Sequence, residues 1–448
     1  MTYIEFVDAS AIENVCAVLT LASERVILVG SDADELNKSC SRYEKLMASR
    51  GKSVKFLSKV VVNTNLKTIV DSLSDMIRAE VDRGDECVID LTGGNDLYLA
   101  AAGIVYGRLT ASGVKLNLVR FDITRGTVVD VDGDGLPVFP RVPGITVEEN
   151  VRIYGGKVVF DNEKKGTTLR WTVDDALRED VSALWDICRR DFTEWNTQTL
   201  FLDIIEDADS VVFRRGNTTE SSFEKIDAVV RERRSKGDFS GRKTPRDIEA
   251  SFLDELTQKG ILKEYSLTPE GIKLVYRDER VKQLITKSGQ VLEMAIFLAI
   301  CDIKDSDGNR VYNDVMTGVT IDWDGKLVEK NLSYNIPDYM MEKYQDTENE
   351  IDVMVMRGMV PIFISCKNGR VDMDELYKLE TVAKRFGGKY AKKILIATNL
   401  KKSAFTWDLV ARANEMDIKV VYENFGRVDL QHLQQKIKDV MDSWIKKD

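Results

Sequence analysis

An α/β fold built in several parts is what this sequence of 448 residues predicts, and three observations carry that expectation. Between residues 25 and 120, apolar runs of strand length alternate with helical patterns, which implies a parallel sheet. The last third repeats the alternation in a different order: helix, hairpin, helix, strand, helix, strand. Between the two lies a mainly helical stretch that closes on two short strands.

In the first part, Arg25–Ser31 reads as a buried strand with a polar exit and Asp34–Ser49 as a helix. Ser53–Val62 and Asn65–Arg83 repeat the pair, and Cys87–Leu91 is a strand that runs into Thr92-Gly93-Gly94-Asn95. The following helix, Asp96–Ala111, is small and apolar and is expected to pack tightly, with Val114–Phe121 returning as a strand. Ligands of an open α/β sheet bind beyond the carboxyl ends of its strands, so Ser31, Thr92, Gly93, Gly94 and Asn95 are the candidate ligand-binding residues. The glycines let backbone N–H groups approach a phosphate at a helix N-terminus, and Thr92 and Asn95 add side-chain hydrogen bonds. An ordinary strand-to-helix turn has the same look. The run is neither G-x-G-x-x-G nor a P-loop, so dinucleotide redox and NTPase chemistry are not expected. Asp130-Val131-Asp132-Gly133-Asp134-Gly135 starts like a calcium loop, but its twelfth position is Arg141, and an acidic hairpin turn is expected instead.

Four regions follow: a ligand-binding part over 1–150, a hairpin and helical connector over 151–220, a winged-helix-like linker over 221–285, and a catalytic part over 286–448. In the connector, Val151–Phe160 reads as a hairpin and the helices carry Trp185 and Trp195. The basic tract Arg231–Arg246 is expected to be exposed, and Thr244-Pro245-Arg246-Asp247 to start a helix. Phe252, Leu253, Leu256 and Ile261, followed by Tyr265–Ile272, close a winged-helix pattern that is expected to connect domains and dimerise rather than to read DNA.

In the last part Ser288–Ile300 is a buried helix, capped by Ser288, whose one ionisable residue is Glu293. Asn349–Val355, a turn at Arg357-Gly358, and Val360–Lys367 form a hairpin, then Asp374–Phe386 is a helix, Ile394–Thr398 a strand, Thr406–Met416 a helix and Ile418–Tyr422 a strand. Strand alternation puts Glu350 and Asp352 on one face, and Ser365 and Lys367 on one face of the partner strand. Burying two acids and an ammonium among Val, Ile and Phe costs desolvation that a metal ion or mutual pairing must offset.

Composition narrows the chemistry. Six cysteines without a C-x-x-C pair argue against a zinc cluster or a disulfide framework, and Cys366 falls on the opposite face from Lys367. The single histidine, His432, sits in a polar helix and is expected at the surface, which removes Ser-His, Cys-His and multi-His mechanisms. Carboxylates and lysine are left to carry any hydrolysis. The net charge of −10 is uneven: Arg357–Arg412 holds twelve Lys/Arg against five Asp/Glu, as a phosphate-tracking surface requires. No stretch has the length and apolarity of a membrane span, and the N-terminus lacks a signal-peptide pattern, so a cytoplasmic protein is expected.

The hairpin acids with Lys367, and the order of elements around them, resemble the PD-(D/E)XK nuclease core, with Ser365 where that family usually has Glu. Joined to an N-terminal Rossmann-like sheet ending in Ser31 and Thr92-Gly93-Gly94-Asn95, the whole resembles the CARF nucleases of type III CRISPR defence, specifically the CRISPR ancillary nuclease group. The resemblance implies a homodimer whose CARF domains bind a cyclic oligoadenylate, most often the tetra-adenylate, and activate cleavage of DNA or RNA. It further implies that Glu293 and Asp352 hold Mg²⁺ or Mn²⁺ and that Lys367 orients the attacking water or stabilises charge on phosphate. Glu350 or Glu380 is left to supply the carboxylate that Ser365 does not. The alternative is a CARF-type regulator whose winged helix binds DNA and whose nuclease-like part is silent; a small-molecule enzyme at the N-terminal sheet lacks a catalytic constellation.

Overall fold

The computed structural model describes residues 1–20, 23–62, 65–131, 133, 143–160, 168–209, 216–287, 289–325, 348–369, 371–398, 400, 404–422 and 425–443. The chain opens with β1 (Thr2–Phe6), a 3-10 turn (Ala11–Asn14), α1 (Cys16–Thr20), β2 (Arg25–Gly30), α2 (Ala33–Ser49) and β3 (Lys55–Val60). Next come α3 (Leu66–Val81), β4 (Cys87–Asp90), α4 (Asp96–Ala111), β5 (Leu116–Asp122), β6 (Thr127–Asp130), α5 (Val147–Ile153) and β7 (Lys157–Val158). The middle holds α6 (Asp175–Cys188), α7 (Phe192–Asp209), β8 (Thr218–Ser222), α8 (Phe223–Lys236), α9 (Ala250–Gln258), β9 (Leu262–Leu267), β10 (Gly271–Tyr276), α10 (Glu279–Thr286) and α11 (Gln290–Cys301). The chain ends with β11 (Asp314–Asp322), β12 (Glu348–Arg357), β13 (Val360–Lys367), α12 (Met373–Gly387), β14 (Lys392–Ala397), α13 (Ala404–Glu415), β15 (Ile418–Val421) and α14 (Leu430–Asp442). These elements form two compact units.

The first unit comprises Met1–Leu169, Val311–Phe363 and Tyr377–Lys393. Its main sheet has the order β3-β2-β1-β4-β5-β6, parallel except for β6, which turns back on β5. The expected parallel sheet is therefore present, and β1 is its added centre. All five β1 residues are buried, and Glu5 breaks the apolar run that would have marked the strand. Helices α2, α3 and α4 start at Asp32, Asn65 and Asn95, whose side chains accept hydrogen bonds from first-turn N–H groups. The small face of α4 packs closely as expected: Ala101, Ala102 and Val105 are fully buried with Ile4, Val29, Leu73 and Ile77. Tyr98 stacks on Phe6 and donates its hydroxyl to the Val61 carbonyl at 2.6 Å.

Residues 151–160 are not a hairpin. Thr146 and Glu149 form a reciprocal capping box that starts α5 at Val147 and carries it to Ile153, leaving β7 only two residues long. In the same unit β7, β11, β12 and the start of β13 continue a second sheet in that order, and β11 and β12 are antiparallel. Asp130 accepts from Gly133 N at 3.2 Å in the acidic turn, while Asp132, Asp134 and Gly135 lie outside the described residues.

The second unit comprises Arg170–Arg310, Ile364–Leu376 and Ile394–Asp448. Three antiparallel strands run β8-β10-β9, with α7 before β8 and with α8 and α9 between β8 and β9. Arg231–Lys236, expected in an exposed connector, instead complete α8, which Gly237 ends in the left-handed region at φ +81°. Helix α11 is buried on every side from Gln290 to Ile300, and its N-cap is Gly289, at φ +87°; Ser288, the expected cap, lies outside the described residues. The end of β13, the remainder of β14 and β15 are adjacent in that order. Among the described residues no single helix is long and apolar enough to cross a membrane.

Lys282 and Glu206 form an ion pair at 2.7 Å with side chains only 5% and 6% exposed, and Glu206 also accepts from Thr219 Oγ1. Removing one member strands the other charge in the interior. Lys282→Met is expected to lower the unfolding free energy by about 3–5 kcal/mol in chemical denaturation, and Lys282→Met with Glu206→Leu to recover most of the loss. Equal loss in the single and double variants would contradict this.

Candidate functional site

The Thr92–Asn95 loop is shaped by what lies beneath it. A Cβ on Gly93 would sit 3.2 Å from the Cβ atoms of both Asp8 and Glu13, and one on Gly94, at φ +110°, would meet Phe6 Cβ at 2.6 Å. Both glycines are therefore demanded by close approach and backbone conformation. Gly94 N donates to Asp8 Oδ2 at 3.3 Å. Thr92 is spent on the turn itself, donating its N–H (2.8 Å) and hydroxyl to Asp90 and accepting from Phe121 N at 2.8 Å. Asn95 caps α4 through its carbonyl oxygen. Ser31 is exposed at the end of β2, with its side chain hydrogen-bonded to Tyr98.

Below the loop are three buried acids that motif reading did not single out. Parallel pairing of Ile4 with Ile89 places Glu5 beside Asp90, and both are essentially inaccessible. Burial, then Asp90's charge, pushes Glu5 well above the usual carboxylate range, and burial pushes Asp90 up to about 7 against the lowering effect of its Thr92 hydrogen bonds. The two carboxyl groups are hydrogen-bonded to each other, which requires that one of them keep a proton.

Glu13, fully buried, is also raised by burial, opposed by Tyr390 and Lys389. The Lys389 ammonium lies 2.9 Å from Glu13 Oε1, and the Tyr390 hydroxyl donates to the same oxygen. These two follow α12 on a short 3-10 turn, Gly388–Tyr390, where Lys389 N donates to Ser10 Oγ at 3.5 Å and a Cβ on Gly388 would lie 2.7 Å from that oxygen.

The hairpin acids occupy one face of β12, as alternation requires. Along that face Glu350 is exposed, Asp352 half-buried, and Met354 and Met356 fully buried, so the strand passes from charged to apolar. Thr317 Oγ1 donates to the Asp352 carbonyl at 2.9 Å. Register between the pairs Thr317–Val353 and Val319–Ile351 puts Gly318, at φ +59°, across from Asp352. Glycine inside a strand commonly marks a bulge or a site of close approach. Glu380, on α12, is held by Lys393 at 2.5 Å.

In the second unit, Glu293 is 7% exposed on α11. Ser365 and Cys366 are buried near the end of β13, and the Lys367 ammonium lies 3.0 Å from Glu375 Oε2 in the first turn of α12. Sequence reading missed Glu375; its signal is the i, i+8 spacing from Lys367 to a helix start, which only the fold makes meaningful. His432 is exposed, as expected, with Nδ1 2.8 Å from Asp429. Lys401 and Lys402 of the basic run lie outside the described residues. Among the described residues no group of three or more His, Cys, Asp or Glu side chains is gathered to hold a metal ion.

Asp90 gives a signed pH prediction. Its folded-state value of about 7 lies above the ordinary carboxylate value, so its neutral form stabilises the fold fully at low pH and that contribution is lost as pH rises through about 7. Between pH 5 and pH 8 the protein is expected to lose on the order of 2 kcal/mol relative to Asp90→Asn, which cannot ionise. Parallel stability profiles of the two proteins would refute a titrating Asp90.

No protein-family model and no curated protein matches the sequence. Solved structures do. The crystal structure of protein VC1899 from Vibrio cholerae aligns at TM-score 0.67 and 16% identity, over 98% of this chain and 98% of that one. The structure of Can2 from Sulfobacillus thermosulfidooxidans in complex with cyclic tetra-adenylate aligns at TM-score 0.60 and 15% identity, again over 98% of each chain. At such identities the likeness is one of fold, and it runs from end to end of the chain.

Proposed function

We propose that the protein is a cyclic-oligoadenylate-activated, metal-dependent endonuclease of CRISPR defence, acting on DNA or RNA as a homodimer in the cytoplasm. The observation that carries the proposal is Asp352, a half-buried acid that shares one face of β12 with the exposed Glu350, where that face passes from charged to apolar. In this reading 286–448 is the PD-(D/E)XK-like part and 1–150 the CARF part. The element order around β8-β10-β9 supports a winged-helix linker over 221–285. End-to-end likeness to a protein solved with cyclic tetra-adenylate supports that ring as activator at Ser31, Thr92, Gly93, Gly94 and Asn95. With the Thr92 hydroxyl, the Asn95 carbonyl and the Gly94 N–H engaged, the Gly93 N–H is the backbone donor of the loop that this reading assigns to a phosphate. A ring of identical nucleotides suits a pocket shared across a two-fold axis.

Two carboxylates fit a hard divalent ion, which is commonly held by one or two acids and completed by water and substrate phosphate. Glu293 and Asp352 would hold Mg²⁺ or Mn²⁺, which supplies a water of lowered pKa and neutralises phosphate charge. Glu350, exposed one pleat from Asp352, is the better candidate for the acid absent at Ser365, because Glu380 is engaged by Lys393. Lys367 places a cation where charge develops on phosphate, and Glu375 keeps its ammonium oriented. A DNA-reading regulator is disfavoured by the exposed acids Glu249, at the N-cap of α9, and Asp254 within it, which oppose a phosphate backbone.

The test incubates the protein with single- and double-stranded DNA and RNA, Mn²⁺ and cyclic tetra-adenylate. Cleavage is expected only with metal and activator together. Asp352→Ala, Glu293→Ala and Lys367→Ala should each lower kcat by roughly 100-fold or more while leaving activator binding unchanged. Intact substrates together with a sequence-specific gel shift would favour the regulator instead.

A further inference from the structure

We infer that Asn368 and Asn196 form a clamp that sets the position of the Lys367 ammonium, which makes both of them positioning residues for phosphodiester cleavage. The inference rests on the nuclease reading of Lys367. Asn368 directly follows that lysine where β13 ends. Asn196 Nδ2, from α7, donates to the Asn368 carbonyl, and Asn368 Nδ2 donates back to Asn196 Oδ1 at 2.9 Å. The pairing is reciprocal, so each amide fixes the rotamer of the other.

Two further groups complete it. Asn368 Oδ1 accepts from Thr398 Oγ1 at 2.7 Å, and Thr398 N donates to the Lys367 carbonyl at 3.1 Å. Asn368 Nδ2 also lies 3.5 Å from the Cys188 sulfur, a thiol that burial keeps protonated and hence uncharged. Both polar atoms of the Asn368 side chain are therefore engaged, and the carbonyls of Lys367 and of Asn368 are each held by a residue distant in sequence.

This matters because lysine is a point charge on a flexible stem of four carbons. A strand end free to fray would let that charge wander, and a misplacement of about 1 Å in a catalytic group costs on the order of 100-fold in rate. The clamp fixes the base of the side chain and Glu375 fixes its tip, 3.0 Å from the ammonium. The chemistry calls for Asn at 368 because one side chain must both donate, to Asn196 and the thiol, and accept, from Thr398. Aspartate has the same shape but would set a carboxylate oxygen against Asn196 Oδ1.

The experiment measures kcat and KM for activated cleavage, activator Kd, thermal midpoint and the rate at which acetic anhydride acylates Lys367, read by peptide mass mapping. The variants are Asn368→Ala, Asn368→Asp and Asn196→Ala, each alone and in a Lys367→Ala background. The expected result is a fall in kcat of roughly 10- to 100-fold with KM and activator Kd within about twofold, and acylation of Lys367 faster by about fivefold or more. In the Lys367→Ala background the same changes should cost less than about twofold, because the group they position is gone. Where Asn368→Ala does not fold, Asn196→Ala and the isosteric Asn368→Asp carry the same comparison. An undiminished loss in the Lys367→Ala background, or wild-type kcat and acylation despite a lowered midpoint, would overturn the clamp. A wild-type protein with no activator-dependent cleavage would refute the nuclease reading instead, and the acylation rates then decide the clamp by themselves.

Discussion

A carboxylate with no access to water, that of Glu13, is the constraint on which the Thr92–Asn95 end of the first unit depends. Burying it requires compensation, and Lys389 and Tyr390 provide it from a turn far along the chain. The turn can come so near only because position 388 is glycine, at φ +54° against Ser10. From above, Gly93 lies against the same residue, and any side chain there would collide with Glu13 and Asp8. One acid thus fixes the floor of the Thr92–Asn95 loop and the turn that follows α12.

The buried charges fall into kinds that differ in how the desolvation cost is offset. Glu5 and Asp90 share a hydrogen bond that needs a proton, which lets their strands stay adjacent in the sheet. Glu206 is neutralised by Lys282, and Asp180 by a bidentate Arg277 with Arg280 alongside. Such pairs belong to the fold. Asp352 differs in being only half-buried, within β12 and across from Gly318.

Much of the architecture was legible because hydrophobic periodicity is local. Strands β2, β4 and β14 and helices α2, α3, α4, α12 and α13 lie within a few residues of where alternation and the caps put them. The failures have physical causes. Glu5 hides β1, since a proton shared with Asp90 makes a buried acid tolerable only once two strands are side by side. The β-branched look of Val151–Phe160 gave way to the Thr146–Glu149 capping box, a stronger local signal that lies just upstream. Arg231–Lys236 reads as a solvated tract by charge but is the polar end of α8.

By itself the sequence determined the alternation of elements, the glycines of the ligand loop, the shared face of Glu350 and Asp352, and the absence of any histidine-based mechanism, because each follows from spacing or composition. Only the tertiary structure decided what those residues meet. The Gly318–Asp352 register, the Lys367–Glu375 pair, the Asn196–Asn368 pairing and the Glu13 floor join residues remote in the chain. Long-range pairing is set by packing and desolvation, and these leave no period in the sequence to read.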